Sequence, residues 1–412
     1  MTVNHHPPVT DWATDFDHLD PVWVNNPFPI WDHLRQTCPV AHSDRYGGTW
    51  LPTTHELVSA IAYDTENFTS RAVVVSETRP GPMDLPAPIG VAPPISSDPP
   101  FHAMARRLLL PAFAPRKIDA LEPFTRQLCN ELLDQIASKS TADAAVDYAQ
   151  HIPLRVIAKM LGFPATDADY FRHVIHLVLE EGVTLSEEDD ERLVEQQALD
   201  AYFDRQIDDH VANPRDDLTS FLLEAELDGN KLMREHVRGT MLLILVAGID
   251  TTWSAIGSSL WHLARHPEDR KRLAHEPELM PFAIEEMLRA YAPVTMARLV
   301  AKDVEIGGCP MKEGDWVLLP FPAANRDPKF FDRADEVVID REENRHSAFG
   351  LGIHRCLGSN LARMELRVAV EEWMKRYPDF EIAENSTGEE ATVTWAAGQV
   401  RGPRSIPVRL PV

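Results

Sequence analysis

Apolar residues recur at spacings of three and four along most of this chain, the period that lays one face of a helix against a core. The pattern predicts helices over 27–37, where Ile30, Trp31 and Leu34 share a side, and over 54–63, 118–138, 154–161, 168–179, 187–212, 218–226 and 281–291. Asp98 followed by Pro99 and Pro100 is a helix start signal. The helix it opens carries His102 and Arg106, four apart on one face. Residues 234–266 read as one very long helix, apolar through its middle and interrupted there by Gly239, Gly248 and the polar trio Asp250-Thr251-Thr252. Short apolar runs predict strands at 40–42, 48–52, within 294–319 and within 380–408. Between 69 and 101 periodicity fails, with prolines at 80, 82, 86, 88, 93, 94, 99 and 100. A long irregular segment inside a compact domain is uncommon and usually functional, so this one reads as a cover over a substrate. Helix exceeds strand and no linker divides the chain, which predicts a mainly α protein with small β-sheets in a single large domain.

Two local conflicts stand out against that pattern. A glycine inside a helix costs about 1 kcal/mol relative to alanine, and a hydroxyl can bond back to the carbonyl four residues earlier. Ala247-Gly248-Ile249-Asp250-Thr251-Thr252 combines both in an apolar helix, the kind of inconsistency that marks functional sites. The second is Ser347 to Gly358, reading SAFGLGIHRCLG, with strong helix formers from Ser359 onward. Cys356 therefore sits where a loop enters a helix N-terminus, beside unpaired N–H groups and the positive end of the helix dipole, which favour a thiolate. Gly350, Gly352 and Gly358 free the backbone and let a flat group approach. A thiolate beside a flat space is what a haem iron needs from a cysteine.

Composition narrows the function. The 412 residues carry a net charge of −24, from 64 acidic against 40 basic residues. Nucleic acid and anionic membrane would both be repelled. Cys38, Cys129, Cys309 and Cys356 form no close pair and no CxxC, which argues against a disulfide framework or a zinc cluster and for a reducing compartment. Residues 1–17 are polar, acidic and proline-containing, expected to form a flexible extension and not a signal peptide. The longest pure apolar run, Met241 to Ala247, is far short of the ~20 residues of a membrane helix. A cytoplasmic protein is expected.

Phe349, Gly350, Gly352, Arg355, Cys356 and Gly358 together resemble the cysteine-ligand loop of the cytochrome P450 family. The resemblance runs from about His18 to the C-terminus with its motifs in order. It implies the P450 fold, a triangular prism, and haem b with Cys356 as the iron ligand. Phe349, Gly350, Leu357 and Gly358 would surround the sulfur, and Ala247 and Gly248 would face the haem from the long helix. His102, Arg106, Arg298 and His354 match the propionate clamp. Asp250 and Thr251 match the acid and threonine that support proton delivery for dioxygen activation, with Thr252 the less favoured second hydroxyl. Glu286 and Arg289 match the structural Glu-x-x-Arg motif, with Arg341 as the expected third member and Arg326 its rival. Val91, Ile95, Leu243, Val294, Ala297 and Trp395 would line the substrate pocket. Trp253, after the threonine pair, departs from the small residue expected there and reads as packing.

The implied activity is monooxygenation of a small to medium hydrophobic or aromatic compound, by hydroxylation or by oxidative O-demethylation of an aromatic ether. Electrons would come from NAD(P)H through a separate reductase and an acidic ferredoxin docked near Arg106, Arg107 and Arg355. A peroxide-driven peroxygenase would not need Asp250 and Thr251, and a non-enzymatic haem sensor would need neither pocket nor proton path.

Overall fold

The computed structural model describes residues 6–75, 92–175 and 190–411. Val91, the middle of the proline-rich segment and the 180–186 turn lie outside these.

In chain order the elements that position the site begin with α1 (Phe28–Thr37), β1 (Val40–Ser43), β2 (Thr49–Pro52), α2 (His55–Tyr63) and β3 (Phe68–Thr69). They continue through α3 (Phe101–Leu109), α4 (Glu122–Ile136), β4 (Thr141–Asp143), α5 (His151–Leu161), α6 (Arg234–Arg265) and α7 (Met280–Ala290). β5 (Thr295–Val300), β6 (Trp316–Pro320), α8 (Ser359–Arg376), β7 (Glu381–Ile382), β8 (Thr394–Trp395), β9 (Pro403–Ser405) and β10 (Pro407–Arg409) complete the set. A further helix, Pro267–His275, begins on a proline, carries Glu268 and Asp269 in its first turn and ends on Arg272 and His275. Those are the residues that the helix dipole favours at each end, although its apolar periodicity is too weak to reveal it.

α6 is the central helix. By length and composition it could cross a membrane, yet 67% of its apolar window is buried inside the fold. It packs on α5, α7, α8, β7 and β9, which is why it is apolar nearly all round. Gly248 is required by that packing: a Cβ there would lie 2.6 Å from Ile157 Cδ1 of α5.

The main sheet runs β1-β2-β6-β5-β3, with β2 and β6 parallel and the other neighbours antiparallel. Alternation along β5 sends Ala297 and Leu299 into a cluster with Trp316, Leu318, Trp23 and Trp31, while Met296, Arg298 and Val300 take the opposite face. A smaller sheet runs β7-β10-β4, and β8 pairs with β9.

The expected flexibility of residues 1–17 does not hold from His6 onward. Phe16 and Asp17 are fully buried. Arg45 donates to Asp15 at 2.8 Å, to Asp17 at 2.9 Å and to the Pro7 carbonyl at 2.9 Å, and Tyr46 Oη donates to Asp17 at 2.6 Å. The acidic residues that read locally as solvated are the counter-charges of a distant arginine.

Below the cysteine loop lies a buried ion network. Glu286 and Arg289 side chains are fully buried and meet at 2.8 Å. Glu286 also accepts from Arg341 Nε at 3.0 Å, Val338 N–H at 2.8 Å and Asn344 Nδ2 at 3.0 Å. Arg326 instead donates to the Asp335 carbonyl and lies over the Phe28 ring, so Arg341 is the third member.

Candidate functional site

The loop before α8 folds tightly around one sulfur. Gly350 N–H donates to the Ser347 carbonyl at 2.8 Å and Cys356 N–H to the Phe349 carbonyl at 2.7 Å. Gly350 and Gly352 have φ of 71° and 66°, where a side chain is strained. At Gly352 the constraint is doubled, because a Cβ would fall 2.4 Å from the Ala62 carbonyl oxygen at the end of α2. Gly358 caps α8, and its N–H bonds the Cys356 sulfur. Cys356 is accessible, while residues 351–354 before it and Leu357 and Gly358 after it are half-buried, so the loop leaves its sulfur side open. Burial pushes its thiol up, against the Gly358 N–H and the charges of Arg106, Arg355 and Arg363. Phe349 is braced from outside by the Arg363 guanidinium, 4.4 Å from its ring centre.

α3, β5 and the loop bring four basic side chains together. The His102 and His354 rings meet edge to face with centroids 4.3 Å apart. Burial, then Arg298, lowers His354 to about 2, and burial, then Arg106, lowers His102 to about 4. Arg298, on β5, is lowered to about 10 by burial, opposed by Asp98. The Nε2 atoms of both histidines are buried without a hydrogen-bond partner. Carboxylates placed among these groups would satisfy the orphaned nitrogens and reverse each shift. The cluster fits the two propionates of a haem.

α6 supplies another wall. Leu243, Val246, Ala247, Gly248 and Thr251 are accessible at helical spacing on a helix otherwise mostly buried. Thr251 Oγ1 donates to the Ala247 carbonyl at 2.7 Å, the expected back-bond. Asp250 is fully buried and turns the other way, its Oδ1 2.7 Å from Arg404 Nη2 of β9. α8 packs directly on α6, so the accessible cysteine and this accessible stripe belong to neighbouring elements.

The family model for cytochrome P450 matches residues 185–405. The polyketide biosynthesis cytochrome P450 PksS of Bacillus subtilis is 31% identical over 94% of this chain and 96% of its own length. The chain belongs to the cytochrome P450 family. The mycinamicin IV hydroxylase/epoxidase of Micromonospora griseorubida is 34% identical over 91% of this P450 and 93% of that protein. The crystal structure of CYP109E1 from Bacillus megaterium in complex with testosterone superposes with a TM-score of 0.84 at 31% identity, covering 94% of this P450 and 98% of that chain. A myxobacterial P450, CYP267B1, in complex with myristic acid superposes at 0.83 with 28% identity, covering 96% and 98%. The family are haem b monooxygenases that act on small molecules with dioxygen and electrons from a redox partner, and this P450 is an enzyme of that kind.

Several expected positions move. Ala297 faces the tryptophan cluster, so Met296 shares the Arg298 face in its place. Trp395 packs edge to face on Trp261, with centroids 5.2 Å apart, and under Arg401, on the wall of a separate cavity of about 380 Å³. Gly248 is half-buried within the accessible stripe, and a side chain there would meet Ile157. Ile95 and Val294 are half-buried, and Val294 bridges to Val400. Of the basic residues beside the loop, Arg107 and Arg355 are exposed, and Arg106 donates to the Arg355 carbonyl. Arg363 and Arg367 are held by Glu285, and by Glu122 and Glu371.

Arg404 escaped sequence reasoning. Gln399, at the end of the Trp395 stretch, has a bridging role that its sequence did not announce: its amide donates to the Val73 and Thr295 carbonyls at 3.1 Å and accepts from Val75 N–H at 3.2 Å. It ties the start of the proline-rich segment to β5.

Proposed function

We propose that this P450 is a cytoplasmic monooxygenase fed by separate redox proteins, acting on a small to medium hydrophobic or aromatic substrate. The observation that carries the reading is the accessible stripe on α6, apolar at Leu243, Val246 and Ala247 and ending at the Thr251 hydroxyl, on the helix that packs against α8, whose start the accessible Cys356 precedes. Cys356 would hold the haem iron, with the Gly358 N–H tuning the sulfur. His102, Arg106, Arg298 and His354 would hold the propionates. Haem b, when bound, supplies reductive activation of dioxygen, with the balance RH + O2 + 2 e⁻ + 2 H⁺ giving ROH + H2O.

Ile95, Leu243, Val246 and Val294 would orient the substrate and exclude water. Thr251 would hold and pass on a proton at its Oγ1, and Asp250 would supply it. The titratable acid and hydroxyl side by side favour this reading over a peroxygenase or a sensor. That two structural neighbours hold testosterone and myristic acid supports an apolar substrate. O-demethylation of an aromatic ether begins with the same hydroxylation. Electrons from NAD(P)H would arrive through a reductase and an acidic ferredoxin steered by Arg106, Arg107 and Arg355.

The test starts from the reduced, carbon monoxide-treated protein, which is expected to give the long-wavelength Soret band of thiolate ligation. An unchanged haem spectrum in Cys356→Ala would overturn the assignment. Aromatic ethers, terpenoids and fatty acids are then screened for the spin shift that follows displacement of water from the haem. With the best of them, Thr251→Ala is expected to divert electrons into hydrogen peroxide, and unchanged coupling would remove Thr251 from the proton path.

A further inference from the structure

The segment that carries Arg404 is fixed on both sides. A Cβ on Gly402 would lie 2.2 Å from Ser254 Cβ and Oγ, and one on Gly257 would lie 2.9 Å from Pro403 Cγ. Backbone therefore rests directly on α6 there and cannot recede. On its other side, Asp143 accepts from Ser405 Oγ and, at 3.0 Å, from Ile406 N–H. From this anchored backbone Arg404 reaches onto α6 with three contacts. Its Nη2 lies 2.7 Å from Asp250 Oδ1, its Nη1 donates to Ser254 Oγ at 3.2 Å, and its guanidinium covers the Trp253 ring at 4.3 Å.

We propose that Arg404 is a positioning residue for Asp250, a latch that holds the carboxylate against β9 and governs its delivery of protons to Thr251. The inference rests on the reading of Asp250 as the proton-supplying acid. Successive residues on a helix point about 100° apart, so Thr251 is accessible while Asp250, one residue earlier, is fully buried and turned toward Arg404. A fully buried carboxylate needs a cation, and that cation is held here by a second bond and an aromatic shelf. Trp253, oversized for its place in the motif, is that shelf, since an indole face attracts a guanidinium. Arg404 is 15% exposed where Asp250 is 0% exposed, so the latch stands between the acid and solvent. A proton that Asp250 takes up from water at the exposed edge of the guanidinium neutralises the carboxylate and loosens the latch, and passing that proton to Thr251 regenerates the carboxylate, which restores the pair.

The experiment uses the holoenzyme and the best substrate from the spin-shift screen, with Arg404→Gln, Arg404→Lys, Asp250→Asn and the Gln/Asn double variant. The readouts are product formed per NAD(P)H, the solvent deuterium isotope effect on turnover, and urea unfolding of the same proteins. Arg404→Gln is expected to lower coupling several-fold and to raise the isotope effect, while Arg404→Lys recovers most of both. In the Asp250→Asn background Arg404→Gln is expected to add nothing to either readout, and the unfolding cycle is expected to be non-additive. If Asp250→Asn is impaired but Arg404→Gln matches the parent, or if the two effects simply multiply, the latch is wrong and the acid stands. If Asp250→Asn itself couples normally, the reading of Asp250 fails and the latch with it.

Discussion

Arg289→Ala tests the scaffold under the cysteine loop. The guanidinium makes two bonds of 2.8 Å to Glu286 and three more, to the carbonyls of Asn325 at 2.8 Å, Ala334 at 2.8 Å and Glu336 at 2.6 Å. Truncation orphans all three carbonyls and removes one cation from a fully buried carboxylate. Each buried polar group left unpaired costs about 1–3 kcal/mol, and breaking a buried ion pair from one side costs about 3–5 kcal/mol. Arg341, Val338 and Asn344 still hold Glu286, so a loss near about 4 kcal/mol is expected, below the simple total. Against a whole-chain stability of about 5–15 kcal/mol, that is a large share. Urea titration followed by tryptophan fluorescence measures it. Arg289→Lys keeps the charge but not the planar fork, and should fall between the parent and alanine. A loss under about 1 kcal/mol, the size of an exposed surface pair, would refute the network's role.

Other consequences are as direct. Burial raises Glu285, but Arg363 and His346 outweigh it and lower the carboxyl from 4.5 to about 2. Its folded value is depressed, so its contribution, at most about 3 kcal/mol, is complete above pH 4.5 and is lost as pH falls toward 2. Acid unfolding should show the parent's advantage over Glu285→Gln closing across that window, and a gap that persists below pH 2 would contradict the pairing. Gly352→Ala should lower haem incorporation sharply, read as the ratio of Soret to protein absorbance. Gly308→Ala, at φ 81° with nothing within 4 Å, should leave that ratio unchanged; equal behaviour would mean that the Ala62 contact is unimportant. Ala297→Val should cost about 1–3 kcal/mol by overpacking and leave the ligand-induced spin shift alone. A changed spin shift at parental stability would put Ala297 back in the pocket.

What could be read from residue order follows from the range of each signal. Helical periodicity and capping are local, so α1, α2, α6 and α7 fall within a residue or two of their expected bounds. The cysteine loop was legible because its glycines, basic residues and sulfur are contiguous. The face of a strand is another matter. Ala297 and Met296 exchange roles on a parity that only pairing with β6 sets, since a slip of one residue reverses every side chain. Trp395 is apolar and in the right stretch, but Trp261 and Arg401 draw it outward. Arg404 and Asp250 lie far apart in sequence, and no local pattern announces such a pair. The acidic N-terminal residues have the same cause, a distant partner in Arg45. Trp253 was visible as an anomaly, and the guanidinium above it supplies the reason.

The order of strands in the main sheet also bears on how the protein is made. β2 takes β6 as its parallel neighbour and β3 takes β5, so strands from residues 40–69 wait for strands from residues 295–320. In the smaller sheet β10 is the middle strand between β7 and β4. A chain emerging from the ribosome therefore presents helices that can form at once and sheet edges that cannot close until most of it has been synthesised. Such edges are aggregation-prone while open. A nascent chain stalled ahead of Thr295 should be cut by protease within 40–69, and one extended beyond Pro320 should resist there. Equal cleavage of the two would mean that the early strands close without their late partners.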